Sequence, residues 1–249
     1  MQVTWDYTEL ARAYVARPDY SPDVVHAFLA IAAVEEGNSV CDVGAGVGHL
    51  AKKLGTGGLR VVAVEPNDAM RSIGQQQTMD APNIKWVVGT GEETGQETGE
   101  FRLVTFGSSF NVCDQASALR ETHRILEEGG HFVCIWNHRD LSDPLQSEIE
   151  ALIKRQVPAY EYGNRRADQS TAIRHSSLFA EPIYLEARIV HRMARSDVLE
   201  AWRSHATLQR QAGPSFPSIV ESIADLLSST DSDEVEIPYR TIGWIARRL

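Results

Sequence analysis

The chain has 249 residues, 43% of them hydrophobic and 23% charged, with a formal net charge of −10. That length suits one α/β domain with an elaborated edge or a small cap, and argues against two independent domains. The acidic balance opposes long-range attraction to nucleic acid or an anionic membrane, no apolar run approaches the ~20 residues of a membrane span, and MQVTWDYTEL lacks a signal-peptide pattern, so a soluble, cytoplasmic protein is expected.

In the first forty residues, Pro22 stands after Ser21 at a plausible first helical position, and Val24, Val25, Phe28, Leu29 and Ile31 form a helical apolar face. A strand over 39–43 then ends in Asp42 and Val43 and hands over to Gly44, Ala45, Gly46, Val47 and Gly48, where the backbone must turn sharply and lie close to a ligand. His49 and Leu50 open a helix, so the loop sits at a helix N-terminus with free N–H donors. The strand over 60–64 ends in Glu65, a carboxylate placed to accept from both hydroxyls of a ribose. Together these segments read as a nucleotide-type cofactor site. The spacing is G-x-G-x-G, not the G-x-G-x-x-G of nicotinamide and flavin folds. Asp42, just ahead of the glycines, would repel a pyrophosphate and favours a cofactor bearing an amino group.

Further strands are expected over 84–88, 101–106 and 130–136, with an amphipathic helix from Ser117 to Glu128 that ends at Gly129-Gly130. This alternation predicts parallel strands joined by right-handed crossovers. Past Trp136 the pattern breaks down: residues 143–230 hold helix-like stretches, a strand near 183–191 and a turn around 213–217, before a final strand from Val235 to Arg248. Cys41, Cys113 and Cys134 lack metal-type pairing and read as buried thiols, and no metal is expected. Charge is uneven: residues 1–150 carry 11 basic and 22 acidic side chains, 151–210 carry 10 and 6, and 211–249 carry 3 and 6. The basic middle block is either a solvated helical face or a cap that attracts an anionic small molecule.

An acidic residue followed by G-x-G-x-G, with a second strand ending in an acid, resembles the class I S-adenosylmethionine-dependent methyltransferases. Tyr14-Val-Ala-Arg17-Pro18-Asp-Tyr20 resembles the Y-x-x-R-P-x-Y stretch of their small-molecule members, a group that includes trans-aconitate methyltransferase. Leu126-Glu-Glu-Gly-Gly-His-Phe-Val resembles their L-x-P-G-G-x-hydrophobic landmark. The resemblance implies a Rossmann-like, seven-stranded, mostly parallel sheet, the last strand antiparallel beside strand six and closing the sheet, with helices on both faces and a small helical cap. A single domain over 1–249 would divide into cofactor-covering helices (1–36), a cofactor core (37–140), a cap-like insertion with strand six (141–230) and the final strand (231–249). S-adenosyl-L-methionine would be the cofactor. Gly44, Ala45 and Gly46 would line its methionine part, Glu65 its ribose, and Pro66, Asn67 and Met70 its adenine side. Gly91 and Glu92 would flank the adenine. Tyr14 and Arg17 would close over the cofactor, Arg17 pairing with its carboxylate. Asp42, Ser108 and Phe110 complete the expected cofactor set.

Catalytic candidates follow from strand ends that face the crevice. Phe106-Gly-Ser-Ser-Phe-Asn-Val-Cys-Asp keeps Phe110 of the related pattern but places Asn111 and Val112 where histidine and tryptophan are usual. Asn111 can hydrogen-bond but cannot act as a base. In Trp136-Asn137-His138-Arg139-Asp140, His138 is the candidate base, and Asn137 and Arg139 are candidate substrate ligands, Arg139 for a carboxylate or phosphate. Tyr160 and Arg174 join them as substrate candidates within a basic block that also offers Tyr162, Arg165, Arg166, His175, His205 and Arg210. The function expected is methyl transfer by in-line displacement to a small anionic or aromatic metabolite. Two alternatives stand beside it: an NAD(P)-dependent oxidoreductase and a cofactor-binding regulatory protein without catalysis. No nucleic-acid or membrane partner is expected, and oligomeric state is left open.

Overall fold

The computed structural model describes residue 8, residues 11–228 and residues 232–249. Seven strands form one sheet: β1 (Ser39–Val43), β2 (Arg60–Val64), β3 (Ile84–Val87), β4 (Phe101–Gly107), β5 (Leu126–Arg139), β6 (Ile183–Ala194) and β7 (Glu234–Arg247). Their spatial order is β3-β2-β1-β4-β5-β7-β6. The first five pair in parallel, and β7 runs antiparallel to both β5 and β6.

The expected seven-stranded, mostly parallel sheet is therefore present, but the last strand does not close it. β7 lies inside the sheet and β6 forms the edge. Side chains explain the exchange. Val235, Ile237, Tyr239, Thr241 and Ile245 of β7 are buried, as a strand with neighbours on both sides requires. β6 instead alternates, exposing Tyr184, Glu186, Arg188, Val190 and Arg192, and charged residues suit an edge that must not recruit another strand.

Ten helices are described: α1 (Ala11–Tyr14), α2 (Pro22–Ile31), α3 (His49–Thr56), α4 (Asp68–Gln77), α5 (Gln115–Ile125), α6 (Pro144–Gln156), α7 (Ser170–Ser176), α8 (Arg195–Arg203), α9 (Ala206–Ala212) and α10 (Phe216–Ser228). The helix expected over Ser117–Glu128 starts earlier and stops sooner. Asp114 caps α5 by accepting from the Ser117 N–H at 2.8 Å, while Leu126 turns extended and Gly129 takes φ +72°, which opens β5 early.

Alternating strand residues feed two cores, one on each sheet face. Val43, Val104, Phe106, Phe132 and Trp136 pack with α5 and α7 on one side. Val40, Val61, Leu103, Val133 and Ile245 pack with α2 and α3 on the other. A third core, built from Ile149, Ile153, Trp202, Leu208, Ile219 and Ile223, lies on the far halves of β6 and β7 and forms the helical cap. Each such buried side chain contributes about 1.5–3 kcal/mol. The cap thus stands on its own apolar base beside the carboxyl ends of β4 and β5. Among the described residues, no helix is long and apolar enough to cross a membrane.

Candidate functional site

The carboxyl ends of β1, β2, β4 and β5 open into one cavity of about 490 Å³, roofed by α1 and the segment after it and walled by the cap. Its first half is shaped by the glycine loop. Gly44 N–H and Ala45 N–H both donate to Val64 O, at 2.8 and 3.0 Å, which ties the loop to β2. Gly44 has φ +66°, and a Cβ there would lie 2.5 Å from Cβ of Ser109, so the position admits only glycine. Glu65 accepts from Gly46 N–H at 2.8 Å and Asn67 N–H at 2.9 Å, one bond per oxygen. Each oxygen keeps a lone pair for a ribose hydroxyl. Asn67 caps α4 by accepting from Met70 N–H at 3.0 Å, which fixes the turn between β2 and α4.

Asp42 accepts from the Thr105 hydroxyl at 2.8 Å and is otherwise cut off from water. Burial, aided by the nearby Glu65, raises its pKa to about 7. A cofactor ammonium brought beside it would favour the carboxylate form. Burial also raises the pKa of Glu65. The cofactor that this half of the cavity fits is S-adenosylmethionine: a glycine cradle in which Gly44 has no room for a side chain, a buried carboxylate for an amino group and a second carboxylate for a ribose.

The other half carries the opposite charge. Arg17, Arg139, Arg165 and Arg166 line the cavity, and none forms an ion pair among the described residues. The Nε atoms of Arg139, Arg165 and Arg166 are buried without a hydrogen-bond partner. Aromatic rings position these side chains: Arg139 lies 3.8 Å from the Trp202 centroid, Arg166 3.8 Å from Tyr162 and Arg17 3.9 Å from Tyr14. Burial and the charge of Arg17 lower the pKa of Arg165. The acidic residues lining the cavity, Asp42, Glu65 and Glu92, all belong to the cofactor half.

Most expected site residues line this cavity: Tyr14, Arg17, Asp42, Gly44, Ala45, Gly46, Glu65, Pro66, Met70, Gly91, Glu92, Ser108, Asn111, Asn137, His138 and Arg139. Three do not. Phe110 is fully buried and packs its ring against Phe106 and Phe132, because the 3-10 turn over Phe110–Val112 aims it into the core while its neighbour Asn111 faces the cavity. Tyr160 lies beneath the cavity in the cap core, its ring against Tyr162 and His205. Arg174 is exposed and pairs with Glu181, facing a separate shallow depression.

Several of these side chains already have protein partners. Asn137 is fully engaged: its Nδ2 donates to Pro18 O at 3.1 Å and Asp19 O at 2.8 Å, and its Oδ1 accepts from Thr241 at 2.5 Å. It anchors the roof and has no free donor for a substrate. Arg17 Nη2 donates to Ser204 O at 2.8 Å, so this guanidinium joins roof to cap. Glu92 accepts from Asp114 N–H at 2.7 Å and holds the start of α5. His138 is the largest departure. Burial, with Arg165, Arg166 and Arg240 nearby, lowers its pKa to about 2. A group so reluctant to take a proton is a poor base.

Tyr20, Tyr239 and His49 line the cavity without having been singled out from the sequence. Tyr20 shares a hydrogen bond with Ser108 Oγ at 3.0 Å, and Ser108 itself holds a strained φ of +60°. The sequence offers one clue, the Y-x-x-R-P-x-Y stretch that ends in Tyr20. His205, named only as part of the basic block, lines the cavity with its Nδ1 accepting from Leu208 N–H at 3.1 Å.

Residues 41–134 match the family model described as a methyltransferase domain. A segment of 153 residues is 28% identical to an uncharacterized methyltransferase of Schizosaccharomyces pombe, taking in 59% of this chain and 58% of that protein. A segment of 124 residues is 33% identical to an uncharacterized methyltransferase of Mycobacterium bovis, taking in 50% of this chain and 48% of that protein. The chain spans about half the length of such curated relatives. Among solved structures, a putative type II methyltransferase from Anaeromyxobacter dehalogenans superposes with a TM-score of 0.65 at 17% identity, over 93% of this chain and 97% of that one. The Haemonchus contortus phosphoethanolamine N-methyltransferase 2, solved with phosphomonomethylethanolamine and S-adenosylhomocysteine, superposes with a TM-score of 0.56 at 17% identity, over 98% of this chain and 60% of that one. The seven-stranded sheet with its antiparallel β7 matches the Rossmann-like fold of that methyltransferase structure.

Proposed function

We propose that the protein is an S-adenosylmethionine-dependent methyltransferase acting on a small anionic molecule. The observation that carries this reading is Arg165, whose buried Nε lacks a partner and whose charge meets no acid among the described residues. An unpaired guanidinium drawn out of water is costly, so the missing counter-ion arrives with the substrate. Arg139 and Arg166, each stacked on an aromatic ring, are pre-positioned to share it.

The bound cofactor supplies an electrophilic methyl group on a sulfonium. The chain supplies alignment, which on its own can provide much of the acceleration of a displacement. Gly44 to Gly46 and Glu65 hold the donor end, the arginines hold the acceptor end, and Tyr14, Arg17 and Asn137 fasten the roof that keeps water out.

Screening ketoacids, other acidic metabolites, phenols and uncharged alcohols for release of S-adenosylhomocysteine tests the reading. Turnover is expected with anionic compounds and not with uncharged ones of similar size. Tight nicotinamide dinucleotide binding with no response to S-adenosylmethionine would defeat it, and cofactor binding without turnover on any compound would favour a regulatory protein.

A further inference from the structure

The roof over the cofactor half of the cavity is clasped by a histidine whose two ring nitrogens both meet acceptors. His49 is the first residue of α3, directly after the glycine loop, so the turn that shapes the cradle also fixes where this ring stands. Its Nε2 lies 3.0 Å from the Tyr14 carbonyl oxygen and its Nδ1 3.3 Å from Oδ1 of Asp19. A carbonyl and a carboxylate can only accept. Both contacts are therefore hydrogen bonds only when both nitrogens carry hydrogen, which is the imidazolium form. A neutral ring would set the lone pair of one nitrogen against the oxygen it faces.

The charged and titratable groups around this ring come from three elements. Asp19 belongs to the segment between α1 and α2, and the bond from His49 is the chief cause that holds its carboxyl below the usual range, so it is ionised at neutral pH. Lys53, one turn further along α3, approaches Asp19 Oδ2 at 3.8 Å. His191 of β6 donates from Nε2 to Asp19 O at 3.0 Å, a bond its neutral ring can make, and burial lowers its pKa. The positive end of α3 opposes a positive charge on His49, and the Asp19 carboxylate offsets it. Elsewhere the same segment is held by Asn137, which donates to Pro18 O and Asp19 O, and by Arg17, which donates to Ser204 O. Neither an amide nor a guanidinium titrates near neutral pH. Of these fastenings, the one at His49 is the one that a proton can make or break there.

We infer that His49 is a positioning residue that holds the roof closed over the methyl donor while its ring is doubly protonated, so that loss of one proton loosens the roof and speeds release of S-adenosylhomocysteine. The latch acts on the donor side of the reaction and does not depend on the identity of the acceptor. Its pH dependence runs against that of Asp42. Rising pH favours the Asp42 carboxylate, which attracts the cofactor ammonium, so affinity through Asp42 grows with pH. Rising pH removes the His49 fastening, so residence time through His49 shrinks. Comparing wild type with a His49 variant at each pH leaves the contribution of Asp42 in both and isolates the latch.

The test measures stopped-flow release of S-adenosylhomocysteine from the full chain between pH 5.5 and 8.5, beside nitrogen-15 spectra of the His49 ring over the same range. Release is expected to quicken about fivefold toward high pH as the ring passes from two protons to one. His49→Gln should release quickly throughout and lose the slope. His49→Arg keeps charged donors at every pH, so it should lose the slope while restoring slow release. Asp19→Asn should also flatten the slope, because an amide can turn its NH₂ toward an unprotonated Nδ1. The ring spectra are read on the cofactor-free chain as well, where they report the latch without any turnover. A ring whose protonation stays constant across the range, or a release slope that survives in His49→Gln, would overturn the latch. A chain that holds no S-adenosylhomocysteine at any pH would overturn it together with the cofactor reading.

Discussion

Arg17 reaches across the cavity to the cap, donating from Nη2 to the main-chain carbonyl of Ser204 at 2.8 Å. On the other side of the roof, His49 Nε2 faces Tyr14 O at 3.0 Å and its Nδ1 lies 3.3 Å from Asp19. The segment between α1 and α2 is thus fastened to both cavity walls. Arg17→Ala should release the cap side alone, speeding cofactor dissociation about tenfold while leaving thermal stability within about 1 kcal/mol. Stopped-flow release of S-adenosylhomocysteine, set against a melting curve, checks both.

Arg165→Met should move function and stability in opposite directions. Removing a guanidinium with no counter-ion is expected to raise stability by about 1 kcal/mol or more, while the KM for an anionic acceptor rises at least tenfold. Denaturant unfolding and steady-state kinetics on one preparation measure the pair. A fall in both would mean that Arg165 is structural.

Asp42 gives the empty protein a pH dependence of uncommon sign. Burial raises its pKa from the ordinary 3.8 to about 7, so between those values the folded chain binds more protons than the unfolded one. Stability from this group is therefore intact below pH 4, declines as pH rises toward 7, and is flat beyond, a total on the order of 4 kcal/mol at ~1.36 kcal/mol per unit. Asp42→Asn should flatten that slope, stabilising the cofactor-free protein at pH 8 and hardly at pH 4, and should weaken cofactor binding. Melts across this pH range read the slope directly.

His138→Gln should keep kcat within about threefold and leave the pH–rate profile unchanged from pH 6 to 9, because a ring that stays neutral contributes no proton transfer there. Loss of an acidic limb from that profile would restore His138 as the base.

The cofactor half was legible in the sequence because its determinants are local. A strand, three spaced glycines and an acid at the next strand end leave little freedom in where Gly44, Gly46 and Glu65 sit. The acceptor half is assembled from segments far apart in the chain, and there identity said little about direction. Phe110 and Asn111 are adjacent, yet one turns into the core and the other into the cavity. Arg165 and Arg174 belong to one basic stretch; a 3-10 turn brings the first to the cavity wall, while the second pairs with Glu181 outside. Asn137 looked like a substrate ligand because its strand end faces the crevice. Only the partners of its amide, Pro18, Asp19 and Thr241, show it to be an anchor. That β7 lies between β5 and β6 and leaves β6 at the edge was illegible for a related reason, since alternation within β6 and β7 reports burial but not which strand lies beside which.

The place of β7 between β5 and β6 sets an order of assembly during synthesis. β6 pairs along its length only with β7, which the ribosome delivers last of the seven strands. The glycine cradle and its parallel neighbours can therefore form on the nascent chain while the arginine-bearing cap has nowhere to dock. In a newly made molecule the half of the cavity built by the glycine loop can thus take shape before the half walled by the cap.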